Sequence, residues 1–122
     1  MFPVKNHLSA NELHAVWDNA IYTYHTSIKK PFTSDSYSSF LEIANDLMKS
    51  FSFTKDEIET IDFKKFRDES YEIATSAYEG IKEGDVLPDS YVSKFSEIAK
   101  KRAALAGYRL AYIIELIFGS KR

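Results

Sequence analysis

The sequence predicts an all-α protein, a bundle of about four main helices, on three observations. Apolar residues recur at i, i+3, i+4 and i+7 through successive stretches of the chain. Each stretch opens on Ser, Thr or Asp, the residues that cap a helix amino terminus, and closes near proline, glycine or a cationic turn. No segment alternates for long enough to make a strand, and neither an internal repeat nor a low-complexity tract breaks the pattern.

The elements follow in order. Met1 to Leu8, with Pro3 and little periodicity, read as an extended lead-in. The first helix opens at a capping box, where Ser9 accepts from the Glu12 N–H and the Glu12 side chain reaches back. Its stripe is Leu13, Val16, Trp17, Ala20, Ile21, Tyr24 and Ile28, and it stops at Lys29-Lys30 before Pro31. Thr33 to Ser36 offer several caps for a second helix, whose stripe Tyr37, Phe40, Leu41, Ala44, Leu47, Met48 and Phe51 reads as core packing. Thr54-Lys55-Asp56-Glu57 is another capping box, opening a short turn through Ile58 and Ile61.

A long helix is expected from Asp62 to Ile81, with Phe63, Phe66, Tyr71, Ile73, Ala74, Ala77 and Tyr78 as its apolar set. Gly84 and Pro88 mark a loop, and the last helix runs from Asp89 or Ser90 to Phe118, about 45 Å if unbroken. Its second half is apolar almost all round, which predicts a central helix covered by neighbours. A close helix approach would account for Gly107, and Gly119 is a stop signal.

With 122 residues, 44% of them hydrophobic and 15% aromatic, the chain suits one modest domain with a real core, residues 1–122 throughout. A net charge of −2 gives no global electrostatic footprint for nucleic acid, so any such contact must be local or metal-mediated. Cysteine is absent, which excludes disulfides and thiolate metal sites and leaves the compartment unread. The first seven residues lack the apolar core of a secretory signal. The most apolar run, Ala103 to Phe118, is interrupted by Arg109 and Glu115 and is shorter than the ~20 residues that span a bilayer, so no membrane partner is expected.

Chemistry is concentrated in one stretch, Leu13-His14-Ala15-Val16-Trp17-Asp18. On a helix, His14 and Asp18 stand on one face roughly 6 Å apart, so an imidazole nitrogen and a carboxylate oxygen could grip a single cation. Such ligands suit zinc. Without further context the same spacing reads as a hydrogen bond on a helix surface before it reads as a metal pair. Both residues lie at the edge of the apolar stripe rather than opposite it, partly screened from water. His25 shares their direction but sits ~16 Å further along the axis, too far to join His14 on one ion, and His7 precedes the helix altogether. Elsewhere, Lys100-Lys101-Arg102 reads as a solvated face before it reads as a phosphate contact. Arg109, alone in an apolar segment, reads as neutralising a buried acid, Glu69 or Glu115, or as capping carbonyls. The tyrosines and phenylalanines could stack on bases, but at helical spacing they describe a core, Trp17 included.

The context of the pair carries a resemblance. Asn11-Glu12-Leu13-His14-Ala15-Val16-Trp17-Asp18-Asn19 resembles the segment bearing the last metal ligands of the zinc-dependent single-strand nucleases, the nuclease S-one/P-one family, whose pattern reads Asn-Leu-His-x-x-Trp-Asp. Downstream, Arg67 to Ala74, Ala77-Tyr78-Glu79-Gly80, Gly84, Tyr91-Val92 and Lys101 to Ala111 resemble that family's carboxy-terminal helices in the same order. The resemblance therefore implies the carboxy-terminal half of a phospholipase C-like fold, with His14 and Asp18 as zinc ligands in a cluster of three ions that activates water for phosphodiester attack. It implies single-stranded DNA or RNA, or nucleotides, as the substrate class, with the remaining ligands coming from the family's other half.

Zinc takes four ligands in structural sites and about three protein ligands in catalytic ones, so two cannot make a hydrolytic centre alone. Two functional expectations follow. The chain is part of a zinc-dependent endonuclease, or it is a non-catalytic helical remnant or interaction module built on the nuclease scaffold. In either case apolar helix faces would be left uncovered over more than ~600 Å², favouring self-association or docking with a complementary amino-terminal half.

Overall fold

A computed structural model describes residues 14, 16–17, 30–82 and 85–119. Every regular element among these residues is helical. Residues 14, 16 and 17 are helical, and four further helices follow: α1 Ser34–Ser50, α2 Lys55–Glu59, α3 Phe63–Tyr78 and α4 Asp89–Phe118. The expected boundaries hold to within about three residues at every end of these four.

Local chemistry explains why the helices start where they do. Thr33 caps α1 through a capping box in which the Ser36 N–H donates to the Thr33 hydroxyl and the Thr33 N–H donates to Ser36 Oγ at 3.1 Å. Thr54 and Glu57 form the box expected for α2. The Glu57 N–H donates to Thr54 Oγ1 at 3.1 Å, and the Thr54 N–H donates to the Glu57 carboxylate at 2.8 Å. At α3 the Asp62 carboxylate accepts from the N–H groups of both Lys64 and Lys65. Such caps satisfy donors that no preceding turn can reach. Helix α3 stops three residues before Ile81 because Gly80 takes a φ of 75°, a left-handed conformation open to glycine at no steric cost.

The chain gathers into two compact units, residues 1–24 with 62–99, and residues 25–61 with 100–122. Helix α4 contributes its first part to one and its remainder to the other. The first unit holds a core of Val16, Ala77, Leu87, Tyr91 and Phe95, with Trp17, Ile81, Val92, Ile98 and Ala99 packed against it. In the second unit Ala104, Leu105 and Arg109 are buried, and Phe53 meets Tyr108 edge to face with ring centroids 5.8 Å apart.

Three packing expectations are corrected. The α1 stripe is not core. No residue of α1 is buried, and Tyr37, Phe40, Leu41 and Met48 are exposed. Nor is the second half of α4 a covered central helix, since Leu110, Ile114, Leu116, Ile117 and Phe118 are exposed. Periodicity reports that a helix has an apolar face, but burial also requires a second surface to lie against that face. At Gly107 a Cβ would meet nothing within 4 Å, so no close approach explains the glycine. Helix α3 is split likewise: Ala77 is buried and Phe66 and Ile73 half-buried, while Phe63, Tyr71, Ala74 and Tyr78 face out.

Candidate functional site

The helical turn at residues 14–17 has two sides. Val16, 2% exposed, is the most deeply buried large side chain among the described residues, and Trp17 is half-buried beside it. His14, about 200° round the helix from Val16, is exposed. The same turn thus inserts an anchor into the core and holds an imidazole toward solvent.

The anchor is built from aromatic residues of α4 and the last turn of α3. The Trp17 indole N–H donates to the Tyr91 hydroxyl at 3.0 Å, and that hydroxyl donates in turn to the Ala77 carbonyl at 3.1 Å. The Trp17 ring stands edge-on to Phe95, centroids 5.4 Å apart at 69°, while Tyr91 and Phe95 lie 4.4 Å apart. Edge-to-face pairs of this kind contribute about 0.5–1.5 kcal/mol beyond their burial. Lys94 places its ammonium 5.0 Å from the centroid of Phe95. Burial pushes the Tyr91 phenol above its ordinary range, partly offset by the Trp17 donor and reinforced by Tyr78.

Of the other residues singled out, Asp18, His7, His25 and the Ser9–Glu12 capping box lie outside the described residues, as do Leu13 and the stripe beyond Trp17. Arg109 follows the carbonyl-capping reading: it is 7% exposed and its Nε donates to the Glu57 carbonyl at 2.9 Å. Lys101, in the basic run, is exposed. Its charge and that of Arg109 both act on Glu57, whose carboxyl is held below its usual range chiefly by the Thr54 backbone N–H, then by the Thr54 hydroxyl. The tie between Tyr91 and Trp17 was not foreseen from sequence. Its signal was the i, i+4 pairing of Tyr91 with Phe95 on the apolar face of α4.

Zinc chemistry is tested by the donors in hand. Among the described residues no group of three or more His, Asp or Glu gathers at a spacing that could hold a metal ion. What the chain offers is His14, exposed and helical, with a carboxylate four residues later in sequence. No helix among the described residues is long and apolar enough to cross a membrane.

The described residues define an all-helical protein in which Trp17, Tyr91 and Phe95 pack as one aromatic cluster. The profile of the S1/P1 Nuclease family matches residues 2–119, nearly the whole chain, and the protein belongs to that family. Its class is therefore nuclease, with nucleic acid as the substrate, and the family is generally zinc-dependent. Comparison with curated proteins and with solved structures gives no match.

Proposed function

We propose that this chain supplies His14 and Asp18 to the zinc centre of an endonuclease that hydrolyses phosphodiester bonds in single-stranded DNA or RNA. The observation that carries the reading is the family match across residues 2–119, within which His14 stands exposed on a turn held by Val16 and Trp17. Zinc held there would lower the pKa of a bound water and neutralise charge on the phosphate. The protein's own part is to orient the imidazole and carboxylate, with the helix fixing their separation. Two ligands fall short of a catalytic set, so the remaining donors come from a complementary segment or partner. Residues 1–122 act in this reading as one helical domain of the nuclease fold.

A second reading, a non-catalytic helical interaction module on the same scaffold, is favoured by the apolar faces within the second unit. Tyr37, Phe40, Leu41 and Met48 of α1, and Leu110, Ile114, Leu116, Ile117 and Phe118 of α4, are all at least 45% exposed. Apolar faces of this extent favour self-association or a docked partner.

Elemental analysis of the purified chain, with cleavage of single-stranded DNA measured with and without chelator, separates the two. The first reading expects bound zinc that His14→Ala and Asp18→Ala each remove. Zinc uptake that His14→Ala and Asp18→Ala leave unchanged overturns the first reading. Sedimentation velocity between micromolar and sub-micromolar chain then tests the second reading, which expects a concentration-dependent oligomer.

A further inference from the structure

We propose that the carboxy-terminal part of α4 pairs with the same stretch of a second copy of the chain, the two helices antiparallel and centred on Leu110. The proposal rests on the self-association reading above and commits it to one surface, one occupant and one register.

Ala103, Gly107, Leu110, Ile114 and Ile117 recur at alternating intervals of four and three residues, the spacing that keeps one face of a helix toward a partner helix. All five are exposed, as is Ala106 beside them. On a helix these six lie within about 100° of one another over about 21 Å, and the charged residues of the stretch, Arg109 and Glu115, fall outside that arc. A Cβ at Gly107 would meet nothing of the chain within 4 Å. The second unit therefore carries a long, uncharged helix face that stands open.

Size is distributed along this face in a way that selects the occupant. Its first half is small, Ala103, Ala106 and Gly107, and its second half large, Ile114 and Ile117, with Leu110 at the junction. A partner helix of even size would touch the large end and stand off the small one, forfeiting the dispersion that close contact supplies. A second copy laid parallel does the same, setting small against small and large against large. Turned end for end about Leu110, a second copy sets Ile117 against Ala103 and Ile114 against Ala106 and Gly107, and receives the same in return. The combined size is then even along the pair, the axes keep one separation of about 8–10 Å, and a two-fold axis closes the contact. On α1, by contrast, large residues stand at both ends of the exposed face, Tyr37 and Leu41 at one and Met48 at the other.

Area sets the strength. Two such faces, each about 21 Å long, remove on the order of 1,000 Å² from water in total, at the lower edge of specific interfaces. The dimer is therefore expected to dissociate in the micromolar range.

The sequence has no cysteine, so single cysteines placed in the full chain report the register directly. Chains bearing Ala103→Cys and chains bearing Ile117→Cys, mixed and mildly oxidised, are expected to form the mixed disulfide in clear excess over either homodimer. In the antiparallel register residue 103 lies beside residue 117 of the other copy. Two residues 103, or two residues 117, stand about 21 Å apart, well beyond the Cα separation of about 7 Å that a disulfide spans. Sedimentation velocity across the micromolar range then gives the affinity. Leu110→Glu sets two carboxylates against each other at the two-fold axis and should weaken the dimer about tenfold or more. Its helical circular dichroism should be unchanged, because Leu110 is 58% exposed. Leu41→Glu, on the exposed face of α1, should leave the affinity within about twofold of wild type. Homodisulfides through 103 or 117 in excess of the mixed one, or a dimer that Leu110→Glu leaves intact, overturn this proposal alone, since self-association then runs through another face. A wild-type chain that stays monomeric throughout the micromolar range overturns the self-association reading and the proposal with it.

Discussion

Replacing Arg109 by methionine removes a directional contact in the second unit. The guanidinium Nε donates to the Glu57 carbonyl at 2.9 Å, and the residue is 7% exposed. That carbonyl lies in a helix of five residues, Lys55–Glu59, too short for most of its carbonyls to find a donor within it. The neighbouring Asp56 carbonyl is met by the Thr60 N–H and hydroxyl, whereas Glu57 takes its donor from α4. A hydrogen bond from a charged donor contributes about 1.5–3 kcal/mol. Methionine preserves most of the aliphatic stem, so that bond and the carbonyl left behind it alone should cost about 2–3 kcal/mol. With unfolding entropy near 2.1 cal/mol/K per residue over 122 residues, this corresponds to a fall in Tm of about 8–12 °C. Thermal and urea unfolding followed by circular dichroism at 222 nm measures it. Arg109→Lys keeps the charge but has no Nε at that position, and should fall between wild type and methionine. An Arg109→Met chain within 0.5 kcal/mol of wild type, or a lysine variant indistinguishable from wild type, would refute the capping argument.

Two further outcomes concern pH. Thr54→Ala should cost about 1 kcal/mol as a lost amino-terminal cap and return the Glu57 carboxyl only part of the way toward its ordinary value, because alanine removes the Thr54 hydroxyl but keeps the backbone N–H, the larger of the two influences holding it down. A depressed carboxyl stabilises the fold above its unfolded pKa and loses that contribution as pH falls through the folded value, so wild type and Glu57→Gln should converge in acid; side-chain NMR titration of Glu57 follows it. Tyr91 runs the other way. Its phenol is raised by burial first, so the stability it confers is intact below the ordinary tyrosine value of about 10 and is lost as pH rises through the higher folded value. Tyrosinate absorbance at 295 nm should show a late-titrating group that is absent in Tyr91→Phe.

Helix positions were legible from sequence because their causes are local. Thr54 with Glu57, Thr33 with Ser36, and Asp62 ahead of Phe63 are short-range arrangements that any reader of the chain can find. Burial was less legible because it depends on which faces meet. Tyr37 to Met48 and Leu110 to Phe118 have the spacing of core faces yet lie exposed, whereas Ala77, which spacing ranks no higher than its neighbours, is 2% exposed. The anchor behind His14 was half legible. Val16 and Trp17 fell on the expected stripe, but the oxygen joining Trp17 to Ala77 comes from Tyr91, 74 residues further along. The local pattern shows that Tyr91 and Phe95 share one face of α4, but not which distant residue meets them there.

The open backbone at Gly107 has a practical corollary. A methyl group could be added there without disturbing a neighbour, and alanine in place of a helical glycine gains about 1 kcal/mol. The longest helix thus carries an unclaimed reserve of strength. A sturdier parent chain built on it would let costly replacements elsewhere, Arg109→Met among them, be studied while still folded.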